Sequence, residues 1–298
     1  MPPLWRNRIL LTEEVTEPVP VVAATDNERD GAVVLAYVHD TNVSYSWHHS
    51  MVEMIGWDIT HEARVMRGGY IALKYGTAGL IDARNKSVVT FLKEDQADWL
   101  FWLDTDMGFA ADTLDRLMDA ADPVERPIVG GLCFSQREMT ADEHGGWRCT
   151  AVPTVFDWAK IGVSDETIVH GEHQRTMTGE QMGFSVRWDY PINQITRCAG
   201  TGSACILIHR SVFEQIEEKF GPIWYNRVPN TTTGQVVSED LSFCMRAGAL
   251  DIPLYVHTGV QTTHHKEIWL GEEDYWRERA VNPPPYDVPP ESKTDADD

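Results

Sequence analysis

The sequence predicts an α/β fold built on a mixed, mostly parallel sheet with helices on both faces. Short apolar runs alternate with segments of helical periodicity, the form that βαβ units take in a sequence. One run, Trp99 to Leu103, is apolar at every position, as a strand covered on both faces must be. Glycines and helix-capping residues punctuate the junctions, and no internal repeat competes with this reading.

In chain order, Ala32 to Val38 reads as the first strand. Ser44 then caps a helix on which Trp47, Met51, Met54 and Ile55 share a face, with Gly56 expected at its end. Ala63 to Met66 reads as a second strand, leading through Gly68 and Gly69 to a helix around Ile81 to Leu92 whose Ile81, Val88 and Leu92 lie together. The apolar strand Trp99 to Leu103 stops at Asp104-Thr105-Asp106, and Leu114, Leu117 and Met118 mark the helix that follows. Ile128 to Phe134 is a further strand. From Ser135 to Arg197 the periodicity fades into a stretch rich in Gly, Trp and charge, where long loops that handle an acceptor are expected. Strand pattern returns at Cys205 to Ile208, and Ser211-Val212-Phe213-Glu214 has the form of a capping box opening a helix that Gly221-Pro222 closes. Ser238 caps a short helix, Glu239 to Ala247, followed by Gly248. The last strand, Leu254 to Val256, precedes His264-His265-Lys266.

At 298 residues the chain suits one large domain, expected over 31–270, between an acidic N-terminal arm (1–30) and an acidic, Pro-rich tail (271–298). No apolar run reaches the roughly 18 residues of a membrane span. Met1 to Leu11 has no export signal, so a cytoplasmic location is expected. Cys133, Cys149, Cys198, Cys205 and Cys244 are odd in number and lack a CxxC pair, which suits reduced thiols. The net charge of −21 would repel a nucleic-acid backbone, and a diphosphate ligand would need a divalent cation to screen it.

Asp104 and Asp106 end a strand, where open α/β sheets bind their ligands, and residues two apart on a strand share a face. Two carboxylates converging there suit a hard divalent ion, which bridges oxygen ligands to a diphosphate. Arg84 offers a planar fork for phosphate or a nucleobase, and Asn85 a paired amide. Glu239 and Asp240 open a helix whose dipole favours anions. His264, with His265 in reserve, could add an imidazole to the metal shell, and Lys266 could offset diphosphate charge. Manganese suits a mixed oxygen and nitrogen shell better than magnesium. Ala199-Gly200-Thr201-Gly202-Ser203 lacks the spacing of a phosphate loop, and its glycines are expected to let backbone approach a sugar. Trp147, Trp158 and Trp188 are candidates for stacking on sugar rings.

Trp99-Leu100-Phe101-Trp102-Leu103-Asp104-Thr105-Asp106 resembles the hhhhDxD signature of GT-A glycosyltransferases. Three further segments resemble motifs of that class in the same order: Ala83-Arg84-Asn85 its nucleotide-contacting segment, Ser238-Glu239-Asp240 its xED motif, and His264 its late metal-binding histidine. The Gly-Thr-Gly-Ser run is most similar to bacteriophage-encoded members, which implies a host-cytoplasmic location. The resemblance implies a GT-A, Rossmann-like domain and Mn²⁺ or Mg²⁺ on Asp104, Asp106 and His264. It also implies a nucleotide-diphosphate sugar held by Arg84, Asn85, Asp104 and Lys266. Asp240 becomes the base of an inverting transfer, with Glu239 positioning the acceptor. That acceptor would be a virion protein, a modified DNA base or a glycan, with the acidity of the chain disfavouring DNA. A sugar-phosphate nucleotidyltransferase is the nearest enzymatic alternative, but no Gly-rich activating loop stands near the N-terminus. A haloacid-dehalogenase phosphatase would carry its Asp-x-Asp earlier in the chain and would not follow it with Met107-Gly108. A nucleotide-sugar or glycan binder without turnover is the non-enzymatic alternative.

Overall fold

The computed structural model describes residues 30–141, 147–163, 167–170, 173–176, 179–229 and 236–266. Nearly all of both expected arms lies outside these. The central sheet has seven strands: β1 (Val33–His39), β2 (Tyr70–Lys74), β3 (Trp99–Leu103), β5 (Ile128–Leu132), β12 (Ile195–Cys198), β14 (Cys205–His209) and β17 (Leu254–Gln261), with β4 (Met107–Gly108) standing apart. Their order is β12-β17-β5-β14-β3-β1-β2. β1, β2, β3, β5 and β17 run one way, while β14 and β12 run against them, so the sheet is mixed and mostly parallel in strand direction. Because β14 is inserted between β3 and β5, both of its pairings are antiparallel.

The alternation of β3 divides the core. Trp99, Phe101 and Leu103 face one side with α1 (Tyr45–Thr60), α2 (Arg64–Gly68) and α4 (Thr113–Ala120). Leu100 and Trp102 face the other with α3 (Gly79–Lys93), α5 (Arg210–Phe220) and α6 (Glu239–Gly248). Each fully buried aromatic or aliphatic side chain in these layers contributes about 1.5–3 kcal/mol. Arg210 ties the layers of the second face together. Its guanidinium donates to the carbonyls of Phe91, Leu92, Ala97 and Glu94, closing the end of α3 with a cation where the helix dipole favours one.

Several elements differ from expectation for local reasons. Ser44 caps α1, accepting from the Trp47 N–H at 3.1 Å, but the helix runs through Gly56 to Thr60. Ala63 to Met66 belongs to the helix α2 rather than to a strand. The buried Asp58 carboxylate accepts from the backbone N–H groups of Arg64, Val65 and Met66, which are the orphan donors of a helix start. The strand falls one turn later, at β2. His209, not Ser211, caps α5, its ring accepting from the Ser211 N–H at 3.3 Å.

Most of the stretch expected as long loops forms strands. β6 (Phe134–Ala141) pairs with β7 (Trp147–Pro153), and β9 (Thr167–His170) pairs with β10 (His173–Thr176). β8 (Val155–Val163) lies between β11 (Gly179–Val186) and β13 (Gly200–Thr201). These ribbons lie outside the central sheet, and their sequences hold no uninterrupted apolar run like that of β3. Two short pairs complete the described fold: β15 (Val228–Pro229) with β16 (Val236–Val237), and β18 (Thr263–His264) with β4. Among the described residues no helix is long and apolar enough to cross a membrane.

α2 crosses β1 so closely that a Cβ at Gly68 would stand 2.2 Å from the Val33 carbonyl oxygen. Backbone cannot yield as a flexible side chain does. Gly68→Ala is therefore expected to lower the unfolding free energy by about 3 kcal/mol or more. Urea unfolding followed by tryptophan fluorescence measures it.

Candidate active site

The parallel strands bring their carboxyl ends to one edge, and the expected acids gather there. Asp104 follows Leu103 directly, its N–H bonded to the Ala204 carbonyl at 2.9 Å. The pair is not carried on extended strand, as the same-face argument assumed. The chain turns at once, with the Met107 N–H on the Asp104 carbonyl at 3.2 Å, and enters β4. Asp104 and Asp106 are consequently aimed at different partners.

Asp104 meets Arg84. The guanidinium, only 1% exposed, donates one nitrogen to both Asp104 oxygens at 2.9 and 3.1 Å and another to Asp240 Oδ1 at 2.6 Å. It lies 5.7 Å from the ring centroids of both Trp102 and Tyr225. Its fork is thus spent on two acids of the chain rather than offered to a nucleotide. Burial and the negative charge of Asp240 and Asp106 raise the Asp104 carboxyl to about 6 against the opposing pull of Arg84, which leaves it ionised at neutral pH. Asp240 sits in the first turn of α6, where Ser238 accepts from the Leu241 N–H at 3.4 Å. Its side chain is 24% exposed, and among the described residues only Oδ1 is engaged. Glu239 precedes it and adds negative charge to the surroundings of Arg84.

Asp106 meets the other cluster. Its Oδ2 lies 3.0 Å from His264 Nε2 and 3.0 Å from Lys266 Nζ. Burial alone would raise its carboxyl, but the His264 and Lys266 hydrogen bonds hold it at about 2. The pairing of Met107 with His264 in the β4–β18 ladder sets this register. His265 reaches Asp106 only through its backbone N–H, which donates to the Asp106 carbonyl at 2.8 Å.

His264 Nδ1 lies 2.6 Å from the Phe134 carbonyl, which can only accept, so Nδ1 carries a hydrogen. Nε2 then meets Asp106 either as the N–H of an imidazolium or as a bare lone pair. In the second state, the Nε2 lone pair and the carboxylate converge, a donor pair whose chemistry suits a cation, with the histidine oriented by the Phe134 carbonyl. Burial lowers the His264 pKa, but the hydrogen bonds to Asp106 and to the Phe134 carbonyl and the negative charge of Asp106 together outweigh it, and the net shift is upward. No three His, Cys, Asp or Glu side chains among the described residues form a metal-ligand cluster. Asp104, Asp106 and His264 are therefore not assembled as the expected triad, because Arg84 holds both oxygens of Asp104.

Asn85 has a different task from the one expected. Its Nδ2 donates to the carbonyls of Ile81 and Tyr225 at 3.1 and 2.8 Å, and its Oδ1 accepts from the N–H groups of Trp224 and Tyr225, both at 3.0 Å. Those four bonds exhaust a side-chain amide, so Asn85 pins the Trp224–Tyr225 segment and has nothing left for a nucleotide. Tyr225, which that segment places beside Arg84, carried no sequence signal. Gly200 also serves packing, since a Cβ there would come within 2.9 Å of both Leu241 and Phe184. Trp158 and Trp188 are exposed, whereas the side chain of Trp147 lies outside the described residues.

No protein-family model matches the chain. No curated protein matches its sequence. Among solved structures, A197 from STIV is 13% identical, with 79% of this chain and 86% of that one covered and a TM-score of 0.39. GalNAc-T7 with UDP, GalNAc and Mn²⁺ is 11% identical, with 84% of this chain covered and a TM-score of 0.43. The chain spans 48% of the length of the latter.

Asn85→Ala is expected to cost about 2–4 kcal/mol of stability, because it orphans two backbone N–H groups at a buried segment. The folded variant should keep its affinity for any nucleotide sugar that the wild type binds. Chemical denaturation and calorimetry on the same sample test the two halves.

Proposed function

We propose that the protein is a metal-dependent GT-A glycosyltransferase that moves a sugar from a nucleotide-diphosphate donor to an acceptor hydroxyl with inversion. One observation carries this reading. A single buried guanidinium joins Asp104, at the end of a sheet strand, to Asp240, at the start of a helix, while Asp106 beside them faces His264. Acids that suit leaving-group stabilisation and acids that suit proton removal thus share one edge of the sheet.

Asp106 and His264 are the leading ligands for Mn²⁺, or for Mg²⁺, and the chemistry of their donor set fits such an ion. Asp104 joins that set only as far as Arg84 releases an oxygen. When bound, the ion supplies Lewis-acid stabilisation of the departing diphosphate. Lys266, held on Asp106 and partly exposed, adds a second positive charge for the phosphates. Arg84 fixes Asp240 through Oδ1 and leaves Oδ2 to accept the proton of the attacking hydroxyl. Glu239, one residue before, orients the acceptor from the same helix turn. Arg84 and Asp240 are held together before the donor arrives, so the base needs little reorganisation during reaction.

A thermal-shift panel of nucleotide sugars with and without Mn²⁺ identifies the donor, since a ligand at 100 times its dissociation constant stabilises by about 2.7 kcal/mol. With that donor, Asp106→Ala is expected to abolish Mn²⁺-dependent binding. Equal affinity in chelator and in Mn²⁺ would refute the metal role. Asp240→Asn is expected to lower kcat by about 10² or more with donor affinity nearly unchanged. If no nucleotide sugar is turned over although one binds, the protein is a binder.

The stereochemical expectation rests on the same division. A retaining transfer needs a nucleophile beneath the donor sugar or same-face attack, whereas an inverting one needs only a base on the acceptor side, the position proposed for Asp240. From an α-linked donor, proton NMR of the first-formed product should show a β-linkage. An α-linkage would require another role for Asp240.

A further inference from the structure

The described residues also form a half-open pocket of about 620 Å³ whose lining includes none of the acids discussed above. Asp157 and Trp158 of β8, Arg197 of β12, Cys244 and Gly248 of α6, and Asp251 beyond that helix contribute to its wall. Cys244 and Gly248 lie one and two turns beyond Asp240 on the same helix face, about 6 and 12 Å along the axis. This size is within the range of pockets that hold small ligands.

Its chemistry selects a class of ligand. Trp158 remains 43% exposed, and Phe184 stacks behind it at 4.4 Å with the rings 24° apart, so the indole is a backed platform rather than a loose side chain. Asp157 is fixed by Arg187, which donates to both of its oxygens and whose remaining nitrogen donates to Thr196 at 2.8 Å. As consecutive residues of β8, Asp157 and Trp158 point to opposite faces, so the Asp157–Arg187 pair braces the wall from behind while the indole lies on the side of Phe184. Two acids and one Arg in the wall, in a chain of net charge −21, disfavour phosphate and other anions. A purely apolar ligand would strand the charged groups.

We propose that this pocket is a second saccharide-binding site, which takes a neutral sugar by stacking a ring on Trp158 and donating a hydroxyl to Asp251. The site does not rest on the transferase reading, because none of its wall belongs to the Arg84 or Asp106 clusters. In a transferase it would hold a glycan acceptor, or a product, away from the reacting edge.

The test uses the full chain and a panel of neutral disaccharides (maltose, cellobiose, lactose and chitobiose), followed by saturation-transfer NMR and tryptophan fluorescence. Uridine and inorganic phosphate form the comparison arms. At least one disaccharide should bind the wild type, and Trp158→Ala should weaken it at least about fivefold, with Trp158→Phe recovering part of the loss. Gly248→Phe is the second variant. A Cβ at Gly248 meets no atom within 4 Å, so the added ring fills the cavity without displacing the fold and should abolish binding even if Trp158→Ala fails to fold. Nucleotide-sugar binding in Mn²⁺, where the wild type shows it, should be unchanged in every variant. No disaccharide binding to the wild type, binding that survives Gly248→Phe, or uridine or phosphate competing for the cavity would each overturn the proposal.

Discussion

A guanidinium that is 1% exposed has lost nearly all of its water, and only partners of opposite charge in good geometry offset that loss. Arg84 has two such partners, Asp104 and Asp240, and two aromatic rings against it. The arrangement constrains much of the surrounding structure. α3 must present Arg84 at the carboxyl edge of the sheet, and Asn85, its neighbour, must draw Tyr225 up beside it. α6 must begin where Asp240 reaches the same guanidinium. Removing the cation would leave two acids facing each other across a partly closed space, a change on the scale of 3–5 kcal/mol for buried pairs. Since both acids are about a quarter exposed, solvent screening reduces that figure here.

The same constraint explains which parts of the site were legible in the sequence. The order of the acids along the chain was readable, because an apolar strand followed by Asp104 and a capped helix opening with Glu239-Asp240 are local patterns. The duties of Arg84 and Asn85 were not. Both are polar residues on a helix, where solvent or a ligand is the ordinary expectation, and nothing within a helical turn reveals that Arg84 reaches Asp240 or that Asn85 reaches Trp224 and Tyr225, each over 100 residues away. Tyr225 was invisible for the same reason.

The fold divides along similar lines. β3 and α6 were readable, one from uninterrupted burial and the other from its cap. Ala63 to Met66 misled because its apolar content suits a strand, whereas the buried carboxylate of Asp58 stabilises a helix start there. The region from β6 to β11 misled because ribbons outside the main sheet need no apolar alternation. Its strands were legible only through pairing, and a single sequence does not display pairing.

Charge links the edge of the sheet to what it can bind. Asp104, Asp106, Glu239 and Asp240 supply four carboxylates, and Arg84 and Lys266 supply two permanent cations, leaving two negative charges uncompensated before His264 is considered. A diphosphate brought to this edge adds to that excess, in a chain already at −21. Lys266 alone does not reverse it, because it is already paired with Asp106. The proposed divalent ion would offset the charge that the diphosphate adds, and would stand in for the proton by which His264 otherwise satisfies the Asp106 carboxylate. The cavity beside Trp158 faces no such requirement, because a neutral sugar brings no charge to be screened. The two proposed sites therefore differ in the electrostatic problem that each ligand poses: a diphosphate at the acidic edge would need a cation to screen it, and an uncharged sugar beside Trp158 would not.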